Sequence, residues 1–165
     1  KEFNMSTRSR IGIRNKDNTI TSIYCHWDGY PTWNGKMLLT YYTKREDVEK
    51  LIKLGNLSTL GRTPTAPDLN DVDIAMFSYK RDVYEKIRKE NDLKGTMGNP
   101  CCIPHSIRED YAKPEDHEAI THGNGDFPDS WQEYEYLFTK QGKWQYRKAG
   151  CKKFIPLTEE VVNKK

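Results

Sequence analysis

Two strictly alternating segments near the N-terminus constrain the fold of this chain more than any other feature. Residues 10–14 (RIGIR) and 19–27 (TITSIYCHW) alternate apolar with polar side chains, and the polar segment 15–18 (NKDN) separates them. A period of two residues is typical of strands with one buried face, so the pattern predicts a β-hairpin. On its buried face we expect Ile11, Ile13, Ile23, Cys25 and Trp27. On its other face we expect Arg10, Arg14, Tyr24 and His26.

Two helices are predicted directly after this hairpin. The segment 28–31 (DGYP) breaks the second strand, and a short helix is predicted over residues 33–42. A capping-box pattern at residues 43–46 (TKRE) predicts the start of a second helix, and Gly55 predicts its end. The first helix would bury Met37, Leu38 and Tyr41, and the second Val48, Leu51, Ile52 and Leu54.

The central part of the chain carries weaker patterns. Residues 61–72 are predicted as a loop because they are rich in glycine, proline, asparagine and aspartate. A strand is predicted over residues 72–79 and a helix over residues 82–91. From residue 94 to 129 we expect an irregular connection, apart from a short helix that begins at Pro114.

A second hairpin is predicted near the C-terminus. Its strands span residues 133–139 and 143–148, and a short helix is expected from Thr158. The side chains of Tyr134, Tyr136 and Phe138 would share one face. Two hairpins with helices between them predict an α+β fold, a mainly antiparallel sheet packed on one face by helices, with a long irregular central insert.

Length and composition indicate one domain without a membrane span. The 165 residues suit a single domain over residues 5–165, and we expect residues 1–4 (KEFN), before Met5, to be a vector-derived remnant. The net charge of +3 is too small to indicate nucleic-acid binding by bulk electrostatics. Four irregularly spaced cysteines predict free thiols in a reducing compartment.

Several motifs together resemble a widespread family of small bacteriophage and prophage proteins. They are residues 5–13 (MSTRSRIGI), 23–31 (IYCHWDGYP), 34–36 (NGK), 57–61 (LSTLG) and 132–138 (QEYEYLF). The resemblance does not extend to residues 62–130, which form a divergent insert. It implies a phage accessory protein in the host bacterial cytoplasm that modulates or inhibits a host or anti-phage defence factor by surface contacts. We therefore expect binding and not catalysis, and no cofactor.

A small-ligand site is the main alternative on the first hairpin. Tyr24, His26 and Asp28 would share a face, where His26 and Asp28 could perform acid–base chemistry in a hydrolase or could simply fix the turn. Residues 29–36, which end in Lys36, resemble a phosphate-binding loop of a nucleotide-binding protein, although the spacing departs from the known pattern. The alternative is a plain turn that leads into the N-terminus of the helix. Cys25 points to the opposite face, so we expect a buried structural thiol and not a catalytic partner of His26.

A metal site is a further alternative in the insert. Cys101, Cys102 and His105 are the only local group with metal-ligand chemistry, although adjacent cysteines rarely bind one tetrahedral ion together. A complete site would need a further ligand supplied by the fold. The candidates for that ligand are His117, His122 and Cys151.

Charge is segregated in the second half of the chain. Residues 109–135 are acidic and could bind a basic partner, whereas residues 140–153 are basic and could bind nucleic acid. The alternative is that the two segments neutralise each other or are solvated. The candidate partner-binding residues are Glu109, Asp110, Glu115, Asp116 and Glu118. The candidate nucleic-acid-binding residues are Lys140, Lys143, Trp144, Arg147 and Lys148.

Overall fold

The computed structural model of this chain describes residues 7–66, 98–105 and 114–164. The strands are β1 (Ser9–Arg14), β2 (Ile20–Cys25), β3 (Leu57–Thr59), β4 (Gly61–Thr63), β5 (Asn99–Cys101), β6 (Ile103–Pro104), β7 (Ile120–His122), β8 (Tyr134–Phe138), β9 (Trp144–Lys148) and β10 (Ile155–Pro156). The helices are a π-helical turn (Pro31–Gly35), α1 (Lys36–Tyr41), α2 (Arg45–Lys53), a 3₁₀ turn (Pro114–His117) and α3 (Glu159–Val162). The strand predicted at residues 72–79 and the helix predicted at 82–91 lie outside the described residues.

Eight of the described strands form one mixed sheet in the order β10-β9-β8-β1-β2-β3-β6, with β7 also paired to β2. Both predicted hairpins are confirmed: Ile11 lies opposite Ile23 in the first, and Tyr136 lies opposite Tyr146 in the second. The hairpins join through a parallel pairing of β1 with β8, which places Ile11 beside Tyr136. The α+β prediction is therefore confirmed, with a parallel pair at the centre of a sheet whose hairpins are antiparallel.

One face of the sheet packs on the helices and forms the main core, as predicted. The core side chains include Ile11, Ile23, Cys25, Met37, Leu38, Tyr42, Val48, Leu51, Ile52, Tyr136, Phe138, Trp144 and Val162. The Tyr42 hydroxyl donates to the Gly61 carbonyl at 2.8 Å, and Trp144 Nε1 donates to the Tyr42 carbonyl at 2.8 Å. Tyr42 is fully buried and Tyr41 only half-buried, so the prediction that Tyr41 is the inward tyrosine is wrong.

The helix boundaries differ from the predicted ones. The first helical segment begins at Pro31 as a π-helical turn, because proline suits a first helical position. The capping box is wrong: α2 begins at Arg45, and its N-cap Lys44 makes no side-chain capping bond. The predicted end is confirmed, since Gly55 follows α2 with φ +81°. None of the helices in the described part of the chain has the length and apolarity that crossing a bilayer requires.

Short strands occur where the sequence predicted loop. Gly61–Thr63 pairs with Asn99–Cys101, and β6 and β7 also fall within the predicted irregular insert. Two- and three-residue strands carry no readable period, and their pairing partners are distant in sequence, so local patterning cannot predict them. The helix at Pro114 is confirmed as the 3₁₀ turn, although it stops at His117 before β7.

A smaller apolar cluster lies on the second face of the sheet. Phe127 packs there with Ile20 and Leu137, and Phe154 covers them. A Cβ atom on Gly12 would lie 2.8 Å from the Phe127 ring, so only glycine admits this ring against β1. The segment before β8 therefore covers one end of the second face, and the other end carries polar side chains.

Candidate functional site

A buried ion-pair network crosses the second face from β9 to β1. Arg147 and Arg10 both lie opposite Glu135 in the strand register, on either side of it. Arg147 Nε donates to the Glu135 carboxylate at 2.6 Å, and Gln132 Nε2 donates to its other oxygen at 2.8 Å. Burial lowers the pKa of Arg10 to about 10, and the nearby Glu135 charge opposes that shift. The network continues to β2, because Arg10 donates to the Ser22 hydroxyl at 3.0 Å and to the Ser22 carbonyl at 3.1 Å, next to its register partner Tyr24.

Three of the four histidines meet beside Tyr24 at the end of β2. The Tyr24 hydroxyl lies 2.8 Å from His26 Nδ1. The ring centroid of His105 lies 5.9 Å from that of Tyr24 and 5.6 Å from that of His26. His117 extends the group, with its ring 5.2 Å from that of His105. We call Tyr24, His26, His105 and His117 the tyrosine–histidine cluster.

Asn56, just before β3, holds the segments of this cluster together. Its side-chain oxygen accepts from the Tyr24 amide at 2.9 Å, which ties it to β2. Its own amide donates to the His117 carbonyl at 2.6 Å, and its carbonyl accepts from the His105 amide at 2.9 Å. One asparagine therefore positions strands and turns that are remote in sequence, and it sets the spacing of the rings.

Two cationic side chains act on Tyr24. Burial raises the pKa of Tyr24, while Arg8, through charge and a hydrogen bond, and the Arg10 charge oppose that shift. His117 Nδ1 is buried and makes no hydrogen bond within the described part of the chain. The cluster contributes imidazoles and a phenol, and the neighbouring arginines contribute guanidinium groups. Together they are a set of donors that suits an anion.

A cavity of about 790 Å³ adjoins the cluster between α2 and the segment that follows the 3₁₀ turn. Asn56 and His117 border both the cluster and the cavity. The remaining lining residues are Thr21, Glu46, Glu49, Lys50, Ile52, Lys53, Leu54, Gly55, Glu118 and Ala119. Cavities that hold small ligands have about this size, roughly 300–1,000 Å³.

The structure separates the residues of the small-ligand site predicted on the first hairpin. Asp28 has φ +57°, and its carboxylate accepts from the Tyr30 hydroxyl at 3.2 Å, so it fixes the turn. His26 instead joins the cluster through Tyr24. Lys36 is a half-buried residue at the start of α1.

The predicted phosphate-binding loop at residues 29–36 is wrong. Such a loop needs backbone amides that point at the ligand. Here the amides of Trp33 and Gly35 donate to the Tyr30 carbonyl, and the Asn34 amide donates to the Asp28 carbonyl. The π-helical turn therefore uses these amides internally and offers none of them to a phosphate.

The cysteines lie apart from the histidines in the folded chain. The Cys102 thiol accepts from the Gly61 amide at 3.2 Å within the core, and burial raises its pKa to about 11. Burial likewise raises the pKa of Cys25 to about 12, as expected for a structural thiol. Because Cys102 faces the core while His105 joins the cluster, the metal site predicted from Cys101, Cys102 and His105 does not form. No group of metal-ligating side chains with suitable geometry occurs among residues 7–66, 98–105 and 114–164.

The structure removes two residues from the predicted nucleic-acid-binding hairpin. Trp144 is only 5% exposed and packs edge-on against Phe138, so it cannot stack on a base. Arg147 is held by Glu135 and Asp126 at 2.6 Å each, so its charge is already neutralised. The residues of that set that remain exposed are Lys140, Lys143 and Lys148.

The predicted partner-binding acids are only partly described. Asp116 and Glu118 are exposed on either side of His117. Glu115 belongs to the 3₁₀ turn. Glu109 and Asp110 lie outside the described residues, so the acidic partner surface stays a prediction.

No protein-family model matches this chain, and neither curated proteins nor solved structures show significant similarity to it. The resemblance to phage proteins therefore stays a prediction. The sequence pointed separately to Tyr24, His26 and His105, and to His117 as one candidate metal ligand, but it did not bring them together. It missed Asn56 and Arg8 entirely, because an asparagine at a strand start and an arginine before a strand carry no distinctive pattern.

Proposed function

We propose that this chain is an accessory protein, of the phage type that its motifs resemble, which acts by binding a small ligand in the tyrosine–histidine cluster. The observation that carries the proposal is the convergence of Tyr24, His26, His105 and His117 from separate segments, with ring centroids at most 6.0 Å apart between successive members. Rings with polar edges that meet beside a cavity are typical of binding sites.

Exposure of the cluster supports a binding role. His26, His105 and His117 are half-buried, so these residues keep part of their surface exposed to solvent. A purely structural group would more commonly be sealed into the core, as Tyr42 and Cys102 are here. Imidazoles also change charge near neutral pH, which suits them to recognise polar ligands or to move protons.

A thermal-shift screen of nucleotides and other polar metabolites tests this function. A ligand at about one hundred times its Kd stabilises a folded protein by about 2.7 kcal/mol, which in a domain of this size raises Tm by roughly 5–10 °C. We expect Tyr24→Phe and His105→Gln to lose most of that shift, because they remove a hydroxyl and a ring from the cluster. His122→Gln is the matched control, since His122 lies in β7 outside the cluster. A screen in which no compound raises Tm refutes the ligand-binding role.

We propose docking on a host or defence protein as the second candidate function, on the strength of one exposed aromatic residue. Trp131 is 81% exposed and lies between the exposed acids Asp129 and Glu133. Its neighbour Gln132 is buried and donates to the Pro128 carbonyl at 2.8 Å, which holds the segment in place. Exposed tryptophans on rigid backbone are common anchors of protein interfaces.

Affinity capture from bacterial lysate tests the docking role. We expect a captured partner to bind Trp131→Ala about 30-fold more weakly, the effect of losing roughly 2 kcal/mol at an interface anchor. Ile155→Ala is the matched control, because Ile155 is another exposed apolar side chain, 45% exposed, on the edge strand β10. A partner that binds both variants as tightly as the unmodified chain would show that Trp131 is not an anchor.

A further inference from the structure

Positive and negative side chains lie on different sides of the tyrosine–histidine cluster. The charged groups that act on Tyr24 are the guanidinium groups of Arg8 and Arg10, from β1 and the residues before it. The Asp28 carboxylate, after β2, is engaged by the Tyr30 hydroxyl. Arg8 therefore acts directly on the Tyr24 hydroxyl, whereas the Arg10 guanidinium donates to Ser22 and the Asp28 carboxylate serves the turn.

Among the residues that the structure describes, the other carboxylates on this side of the sheet are paired or peripheral. Glu135 is buried, but it accepts from Arg147 at 2.6 Å and its charge acts on Arg10. Asp116 and Glu118 flank His117 and are exposed to solvent. On α2, the exposed side chains that line the cavity are of both signs: Glu46, Glu49, Lys50 and Lys53. Exposed acids are screened by water and salt, whereas the half-buried imidazoles are screened less.

We infer that the ligand bound by this cluster is a phosphate monoester, whose dianionic group sits against Arg8 and the imidazoles of His26, His105 and His117. The inference rests on the proposed ligand-binding function. Guanidinium and imidazolium groups are strong hydrogen-bond donors to phosphate oxygens. His117 Nδ1, which is buried and makes no hydrogen bond within the described part of the chain, supplies a donor or an acceptor at the side of the cavity.

The cavity indicates an ester and not free phosphate. It adjoins the cluster at Asn56 and His117, and its apolar walls come from Ile52, Leu54 and Ala119. An organic group attached to the phosphate would therefore lie in the cavity while the phosphate remains at the rings. Adenosine monophosphate is a suitable probe, because adenosine differs from it only by the phosphate.

Binding of a dianion at this cluster takes up protons. Imidazoles 5.2–5.6 Å apart repel one another when all are charged, so the empty cluster resists full protonation. A bound dianion offsets that repulsion and favours the charged form of the imidazoles, in which both ring nitrogens donate. Affinity therefore falls between about pH 6, where the phosphate keeps much of its second charge, and about pH 8, where ordinary imidazoles are neutral.

Isothermal titration of the full chain with adenosine monophosphate, inorganic phosphate and adenosine, at about pH 6 and pH 8, tests the inference across the range where imidazoles titrate. We expect the monophosphate to bind at least about tenfold more tightly at the lower pH, since one coupled proton changes affinity by up to tenfold per pH unit. Adenosine should bind at least about tenfold more weakly than the monophosphate, as expected on loss of charge-assisted hydrogen bonds. His105→Gln should lose the pH dependence, and His122→Gln should retain it.

The outcomes separate this inference from the proposed function. One outcome is that a neutral or cationic compound binds the unmodified chain but not His105→Gln, while neither phosphate compound binds. This outcome overturns the phosphate inference and leaves the ligand-binding role intact. If the monophosphate binds with equal affinity at both pH values, the inferred proton uptake is wrong. A divalent metal ion such as Zn²⁺ that binds the cluster more tightly at the higher pH, without phosphate, also overturns the inference, because metal ions require neutral imidazoles.

Discussion

Replacing Glu135 with glutamine is expected to destabilise the fold by about 3–5 kcal/mol, the usual cost of removing one partner from a buried ion pair. Glu135 is only 5% exposed, and it accepts from Arg147 at 2.6 Å and from Gln132 at 2.8 Å. Its charge also opposes the cost of burying Arg10. Glutamine keeps the shape but leaves Arg10 without its neighbouring carboxylate and Arg147 with Asp126 alone.

The exposed pair between Arg45 and Glu49 is the matched control. Its atoms lie 3.8 Å apart, and the Glu49 side chain is 60% exposed. Glu49→Gln should change stability by less than about 0.5 kcal/mol, because exposed pairs on helices contribute little. Urea unfolding of the two variants measures the contrast. Equal effects at both sites would show that the ion-pair network on the second face contributes no more than a surface pair.

Replacing Gly55 with alanine is expected to cost about 2–4 kcal/mol, the sum of left-handed backbone strain and a close contact. Gly55 has φ +81°, and a Cβ atom there would lie 2.3 Å from the His117 carbonyl oxygen. That oxygen accepts from the Asn56 amide, so any shift that relieves the contact also moves His117. The substitution should therefore reduce both stability and ligand affinity.

Gly123→Ala is the control for this substitution, because nothing lies within 4 Å of the Cβ position there and its φ is not in the left-handed region. Its stability should change by less than about 0.5 kcal/mol, as for ordinary surface substitutions. Imidazole NMR signals add a second readout: those of His105 and His117 should shift in Gly55→Ala and stay in place in Gly123→Ala. Unchanged signals in Gly55→Ala would contradict the coupling between α2 and the cluster.

The local elements were predictable from the sequence. The two hairpins, the inward residues of α2 and its end at Gly55 all follow from patterns contained in short windows. Such windows report which side chains share a face, because strands and helices repeat with fixed periods. They failed at Gly61–Thr63, whose pairing with Asn99–Cys101 depends on a segment far along the chain.

Tertiary structure decided how those elements meet and which side chains come together in the tyrosine–histidine cluster. The sequence by itself determined that Ile11, Ile23 and Cys25 point inward, since their period places them on the apolar face. It did not determine that β1 pairs in parallel with β8, which places Arg10 beside Glu135 on the side opposite Arg147. Burial of a face is a local property of the chain, whereas strand neighbours are chosen by packing across the whole domain.

The tyrosine–histidine cluster shows the same division. Tyr24 and His26 could be placed at the end of a strand from their own pattern. His105 and His117 reach them through the Asn56 hydrogen bonds and through the pairing of β6 and β7 with β3 and β2. Each of those hydrogen bonds joins residues that are remote in sequence, so no local pattern encodes it. The physical reason is that a site made from several segments exists only once the sheet and its edge strands have assembled around a common core.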